Sequence, residues 1–259
     1  VSQLAVDGVT LHYEVDGSPA SPPLLFINSL GTDLRMWNAQ VEAVQPHFRV
    51  IRFDCRGHGE SGRSDSPLTV ERLAWDAIAL LDELKISSAH MCGLSLGGLI
   101  VMQIAGRHEG RVQRAVFANT ATRIGTQTGW DARIAAVRAG GMAAVRSVVV
   151  ARFLSEAFRQ AEPESVMAVE QMLKHTDPEG YVQACAAIRD ADLREAAGRI
   201  TAPSLVIAGS LDEATTPAQA ESLRDTIRGA RLETLDAAHL SNVERPEEFS
   251  QLLLSFLRK

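Results

Sequence analysis

The sequence predicts a mostly parallel α/β sheet flanked by helices and interrupted once by a block of helices. Three observations carry that expectation. Short, nearly continuous apolar runs alternate with amphipathic helical patterns through the first half of the chain and again near its end. Strands buried on both faces read this way, whereas half-exposed antiparallel strands alternate apolar and polar residues. Between about residues 121 and 195 the alternation stops, and the chain is Ala-rich and helical with no strand pattern.

The elements follow in order. The stretches SQLAVDG and VTLHYEV meet at Asp7-Gly8, a hairpin signal, so a β-hairpin opens the chain. PPLLFIN (22–28), FRVIRFD (48–54), AHMCGL (89–94) and QRAVFAN (113–119) are the expected parallel strands. In TVERLAWDAIALLDELK, Val70, Leu73, Ala74, Ala77, Ile78, Leu81 and Leu84 share one helix face; Thr69 caps its start and Glu71 suits the positive end of its dipole. Inside the helical block, Asp177-Pro178-Glu179 starts a helix whose Tyr181, Ala184, Cys185 and Ile188 lie on one side. APSLVIAGS and ARLETLDA then read as two further apolar runs. PEEFSQLLLSFLRK closes as a helix that begins with Pro246 and two acids and ends in two cations. The expected division is a core of residues 1–120 and 196–259 with a helical cap inserted at 121–195.

Composition narrows the function. At 259 residues, 46% hydrophobic and 22% charged, the chain can bury one sizeable core. A net charge of −6 with no Lys/Arg-rich run argues against nucleic acid as a partner. Cys55, Cys92 and Cys185 stand far apart, without metal-ligand spacing or a paired framework, the usage expected in a reducing cytoplasm. The first residues lack the charged and apolar regions of a signal peptide, and no apolar stretch approaches a membrane span. A soluble cytoplasmic protein with no membrane partner is the expectation.

The chemistry centres on HMCGLSLGGLIVMQ (90–103). A strand ending at Leu94 and a helix starting within a residue or two force the chain to turn sharply at Ser95. Gly93, Gly97 and Gly98 remove the Cβ atoms that would collide there. The serine hydroxyl then projects above the strand end, beside N–H groups of the helix N-terminus, as in a G-x-S-x-G nucleophile elbow. Such a serine needs a base, and the base needs an orienting carboxylate, in the order Ser, acid, His. Of seven histidines, His108, His175 and His239 follow Ser95. His108 ends the helix that Ser95 starts, and His175 precedes a helix cap in the inserted block. His239 lies between the last strand pattern and the closing helix, where α/β sites assemble, and is the expected base. The acid comes from LVIAGSLDEATTP, where Asp212 is favoured over Glu213 as the nearer to the strand end.

Together, DCRGHGES, GLSLGG, GSLDEATTP and AAHLSNVERPEEF resemble the α/β-hydrolase family, and the resemblance covers the whole chain. It implies the α/β-hydrolase fold and a structural rather than catalytic role for His58. The family commonly carries His-Gly after the strand preceding its oxyanion loop; this chain has Asn28-Ser29 instead. The resemblance still pairs the backbone N–H groups of Leu30 and Leu96 as the oxyanion hole. A serine at the elbow excludes the aspartyl-ester route of related dehalogenases and epoxide hydrolases. It leaves ester or lactone hydrolases, carbon–carbon bond hydrolases and cofactor-free perhydrolases, with a ligand receptor on the same fold as the non-enzymatic alternative.

FINSLGTDLRMWNAQ, NTATRIGTQTGWDARI and DPEGYVQACAAIRD are similar to the bacterial 3-oxoadipate enol-lactonases of aromatic-compound degradation, the β-ketoadipate pathway. That similarity implies a small anionic lactone with a carboxymethyl arm as substrate, and neither a metal nor an organic cofactor. The arm's carboxylate calls for a cation within an apolar pocket. In TGWDARIAAV, Trp130, Arg133, Ile134 and Val137 share a helix face, which makes Arg133 the candidate, with Trp130 beside it. Arg123 and Arg35 are alternatives, and Arg133 snorkelling to solvent is the competing reading.

Overall fold

The computed structural model describes residues 2–108 and 110–258. Strands β1 (Ser2–Val6) and β2 (Val9–Asp16) form the expected antiparallel hairpin, with Asp7 (φ 43°) and Gly8 (φ 75°) both left-handed at its turn. β3 (Pro23–Ile27), α1 (Asn38–Val44), β4 (Arg49–Phe53), α2 (Val70–Glu83), β5 (Ala89–Leu94), α3 (Leu96–Arg107) and β6 (Val112–Ala118) then alternate. Six helices follow without a strand among them: α4 (Gln127–Gly140), α5 (Arg146–Phe153), α6 (Glu156–Ala161), α7 (Pro163–His175), α8 (Pro178–Asp190) and α9 (Arg194–Gly198). The chain finishes with β7 (Ser204–Gly209), α10 (Pro217–Thr226), β8 (Arg231–Leu235), α11 (Ser241–Glu244) and α12 (Pro246–Leu257).

The eight strands form one sheet in the order β1-β2-β4-β3-β5-β6-β7-β8, antiparallel at β1, β2 and β4 and parallel from there on. β5 and β7 are buried at every residue, as their uninterrupted apolar sequences require. β8 differs from the apolar run expected of ARLETLDA. It lies at the sheet edge and buries only Leu235 fully, because a strand with one neighbour leaves its polar side chains in water. The closing helix ends at Leu257 with Arg258 at its C-cap; Lys259, the second expected cation, lies outside the described residues. Thr69 and Asp177 cap α2 and α8 as their positions in the sequence require, accepting from Arg72 N at 3.0 Å and Gly180 N at 2.7 Å.

The strand order places the site. The chain runs from β3 outward to β4, then returns past β3 to β5, so the loops leaving β3 and β5 diverge and open a crevice at the strands' carboxyl ends. One wall is the loop after β3. Asn28 ties it down, donating from Nδ2 to Phe53 O at 2.9 Å and accepting from Trp37 Nε1 at 3.0 Å, while Trp37 stacks on Phe26 with centroids 4.6 Å apart. The other wall is the turn at Ser95. A Cβ on Gly97 would stand 2.1 Å from Ile27 O, so only glycine lets α3 approach β3 this closely. Gly97→Ala is therefore expected to destabilise the fold by about 1–3 kcal/mol, the usual cost of overpacking. Urea denaturation checks this; an unchanged midpoint would mean that the α3–β3 contact yields freely.

The helices between β6 and β7 are pinned to the core on two sides. Gly57 and Gly180 meet so closely that a Cβ on Gly57 would come within 2.4 Å of Gly180 Cα, and Gln183 Nε2 donates to Ser64 O at 2.9 Å. On the other side α9 packs on α3, and it spans the boundary expected near residue 195. Cys55, Cys92 and Cys185 are free and buried. Among the described residues no helix is long and apolar enough to cross a membrane, and no group of three or more His, Cys, Asp or Glu is placed to hold a metal ion.

Candidate active site

Ser95 stands where β5 becomes α3, in a left-handed conformation (φ 57°, ψ −112°) that a residue with a side chain rarely adopts. Three hydrogen bonds hold it there. Its N–H donates to Ala118 O at 3.0 Å, and its carbonyl accepts from Thr120 Oγ1 at 2.8 Å and Leu99 N at 3.1 Å. Backbone strain sustained by surrounding bonds is characteristic of functional positions.

His239 sits in the loop between β8 and α11, with its Nδ1 2.9 Å from Asp212 Oδ2, and both residues are buried. Asp212 lies just beyond β7 and collects four further donors. Asn119 Nδ2 (3.0 Å) and Thr215 Oγ1 (2.7 Å) reach Oδ2, and the N–H groups of Ala214 (2.8 Å) and Thr215 (3.0 Å) reach Oδ1. Burial by itself pushes the Asp212 carboxyl upward. The charge that His239 carries when protonated and its hydrogen bond, with the bonds from Thr215 and Asn119, outweigh burial and hold it well below the usual carboxylate range. An ionised carboxylate only accepts, so the imidazole hydrogen resides on Nδ1 and the Nε2 lone pair is left free to accept a proton. Phe153 of α5 stacks on the imidazole, centroids 5.4 Å apart and planes inclined by 28°.

Ser95 and His239 line one cavity of about 240 Å³ with Leu30, Glu213, Trp130, Arg133, Arg152 and Phe153. Its floor comes from the sheet's loops and its roof from α4 and α5. Glu213 lies exposed at the wall, and it is Asp212 that meets the histidine. Arg133 is half-buried, its guanidinium 4.9 Å from the Trp130 ring centroid, while Trp130 Nε1 donates to Ile124 O at 2.7 Å. Arg133 faces the cavity and lies close to Tyr181: burial pushes the Tyr181 hydroxyl up, and the charge of Arg133 works against that. Arg133 makes no ion pair among the described residues.

The other candidates are placed differently. Arg123 is exposed and outside the cavity lining. Arg35 grips Asp33 through Nε at 2.9 Å and Nη2 at 2.6 Å, in a separate hollow with His12 and Asp54. Leu96 is buried at the first turn of α3, and neither its N–H nor that of Leu30 donates to a protein acceptor among the described residues. His108 packs edge-on against Trp75 and His175 is exposed at the end of α7. His58 is buried with Nδ1 3.0 Å from Arg56 O, and burial drives its pKa down.

Sequence reasoning missed Asn119, Thr215, Phe153 and Arg152. A signal existed for Asn119: it follows β6, the strand lying between those that carry Ser95 and Asp212, so its side chain falls between the two. None existed for Arg152, because α5 has no strong apolar stripe to orient it.

A strained serine at a strand–helix turn, a buried Asp–His pair on later loops of the same sheet and a helical roof between β6 and β7 define one class of protein. The chain belongs to the α/β-hydrolase fold family, whose model matches residues 22–246. Within that family it is 38% identical to 3-oxoadipate enol-lactonase 1 of Acinetobacter baylyi over 97% of this chain and 94% of the relative. It is also 38% identical to 3-oxoadipate enol-lactonase 2 of the same organism, over 99% of this chain and 96% of the relative. Among solved structures, the enol-lactonase from Burkholderia xenovorans LB400 superposes with a TM-score of 0.98 at 43% identity, covering 100% of both chains.

Proposed function

We propose that this protein hydrolyses 3-oxoadipate enol-lactone to 3-oxoadipate, with Ser95 as nucleophile, His239 as general base and Asp212 orienting the base. The observation that carries this reading is the shared cavity, in which Ser95 and His239 face Arg133, which lies over the Trp130 ring and makes no ion pair among the described residues. Full-length similarity to two enol-lactonases supports the substrate.

On this reading the substrate's carboxymethyl carboxylate lies against Arg133 and its ring carbonyl over Ser95. His239 Nε2 takes the Ser95 proton as Oγ bonds to the carbonyl carbon. The oxyanion accepts from the N–H groups of Leu30 and Leu96. Collapse breaks the ring C–O bond, the enol oxygen takes the proton back from His239, and the enol tautomerises to the ketone. His239 then deprotonates water, which attacks the acyl carbon and returns Ser95 with release of 3-oxoadipate. The groups that move protons and hold the oxyanion in these steps are side chains and backbone of this chain, and water is the second reactant. The helices of residues 121–195 act as a cap that walls the ring from solvent. The setting is cytoplasmic, and three free buried thiols fit it.

The test is Arg133→Met, which keeps most of the apolar stem and removes the charge. Loss of a desolvated guanidinium–carboxylate contact is expected to cost about 2–5 kcal/mol in kcat/KM for the lactone, roughly 30- to several-thousand-fold, with a neutral aryl ester turned over almost normally. Equal losses on both substrates would make Arg133 a prop of the cap. Wild-type enzyme that cleaves aryl esters but not the lactone would reduce the function to general ester hydrolysis.

A further inference from the structure

The loop that carries His239 is bonded to the inserted helices on both sides of the histidine. On its N-terminal side, the Ala238 N–H donates to Glu244 Oε1 at 3.0 Å. The same oxygen accepts from Ser155 N at 2.9 Å, and Glu244 Oε2 accepts from Ser155 Oγ at 2.6 Å. Ser155 lies between α5 and α6, so one carboxylate joins the base's loop to the cap. On its C-terminal side, the Leu240 N–H donates to Phe153 O at 2.9 Å, and Phe153 is the residue whose ring stacks on the imidazole. Glu244 is 5% exposed, and among the described residues its carboxylate is held by these three N–H and O–H donors.

We infer that Glu244 is a positioning residue: it fixes the aim of His239 by locking the histidine loop to the α5–α6 junction of the cap. The physical argument is one of constraint. Asp212 sets the tautomer and one direction of the ring, but a ring hydrogen-bonded at one atom still pivots about that bond. Holding the backbone on both sides of His239, with Phe153 against the ring face, removes the remaining freedom. Proton transfer to Nε2 depends on that aim, and a misplacement near 1 Å costs on the order of 10²-fold. The inference rests on Ser95 and His239 being the reacting pair.

The test compares Glu244→Ala, Glu244→Gln and Ser155→Ala with wild type on an aryl ester and on the lactone. Both formation and breakdown of the acyl-enzyme use His239, so Glu244→Ala is expected to slow both steps by a similar factor, on the order of 10²-fold, with KM for the aryl ester little changed. Glu244→Gln keeps Oε1 for both N–H donors and presents an N–H to Ser155 Oγ, so it is expected to restore most of the rate. Ser155→Ala removes one of the three bonds, together with the α6 cap bond that Ser155 Oγ accepts from Phe158 N at 3.3 Å, and is expected to fall between. A proton NMR spectrum supplies a readout independent of turnover: the downfield His239 Nδ1–H resonance is expected to broaden in Glu244→Ala and to persist in Glu244→Gln. A rise in KM alone, or an unchanged Nδ1–H resonance with unchanged acyl-transfer steps, would overturn the inference. If Glu244→Ala does not fold, Ser155→Ala and Glu244→Gln still decide it, because a Gln variant as impaired as Ser155→Ala or worse would contradict the hydrogen-bond account. A fully active His239→Ala enzyme would instead overturn the reading on which it rests.

Discussion

Ser95→Ala is expected to remain folded and to lose kcat by on the order of 10⁴-fold or more. The bonds that hold the turn use the backbone of Ser95, not its hydroxyl: the N–H to Ala118, and the carbonyl from Thr120 and Leu99. Alanine keeps all three and tolerates the left-handed backbone about as well as serine does. Melting temperature should therefore move little while the acyl-enzyme can no longer form. A serine-directed fluorophosphonate should label the wild-type peptide containing Ser95 and leave the variant unlabelled. Labelling at another serine, with the variant still active, would remove Ser95 from the mechanism.

Asp212→Asn is expected to lower kcat by about 10⁴-fold, through the tautomer of His239. The asparagine oxygen is claimed by the N–H groups of Ala214 and Thr215, which bond Oδ1 in the native enzyme. Its amide nitrogen then takes the position that Oδ2 fills 2.9 Å from His239 Nδ1, where it also replaces the acceptor of Asn119 Nδ2 and Thr215 Oγ1. A donor there selects the imidazole with its hydrogen on Nε2, which cannot accept the Ser95 proton. The same variant changes acid stability. Because the folded carboxyl is held below its ordinary range, its ionised form stabilises the protein above that range, and this contribution is lost as pH falls through the folded value. Stability of the Asn variant should accordingly fall less steeply in acid. Glu213→Gln, at the exposed neighbour, should leave kcat near wild type; the reverse outcome would transfer the orienting role to Glu213.

Much of the molecule is determined locally, and that part is legible in the sequence. The apolar runs of β3, β5 and β7 announce strands covered on both faces, because the period of hydrophobic residues reports which sides of an element meet water. The caps at Thr69 and Asp177 and the turn at Asp7-Gly8 depend on side chains within three residues of the atoms they serve. The bend at Ser95 belongs here too: the glycines that permit it lie two residues to either side, so the strand–turn–helix geometry is written into five consecutive positions.

Only the tertiary structure decided which distant groups meet. Nearness to the strand end favours Asp212 over Glu213 in the sequence, but which of them faces His239 turns on a rotation of one residue in a loop, which no periodicity encodes; the donors from Asn119, Thr215 and the backbone hold Asp212 there. A shared helix face with Trp130 favours Arg133 over Arg35 and Arg123 in the sequence, but that face is equally compatible with snorkelling; in the fold Asp33 holds Arg35, Arg123 is exposed, and Arg133 lies over Trp130 at the cavity. β8 reads like its neighbours until its place at the sheet edge exposes it. Glu244 looks like one more acid near the start of a terminal helix, and its contact with Ser155 spans 89 residues of chain. Local geometry is set by neighbours along the backbone, whereas partner choice across such separations is set by packing, which places the groups before their chemistry can act.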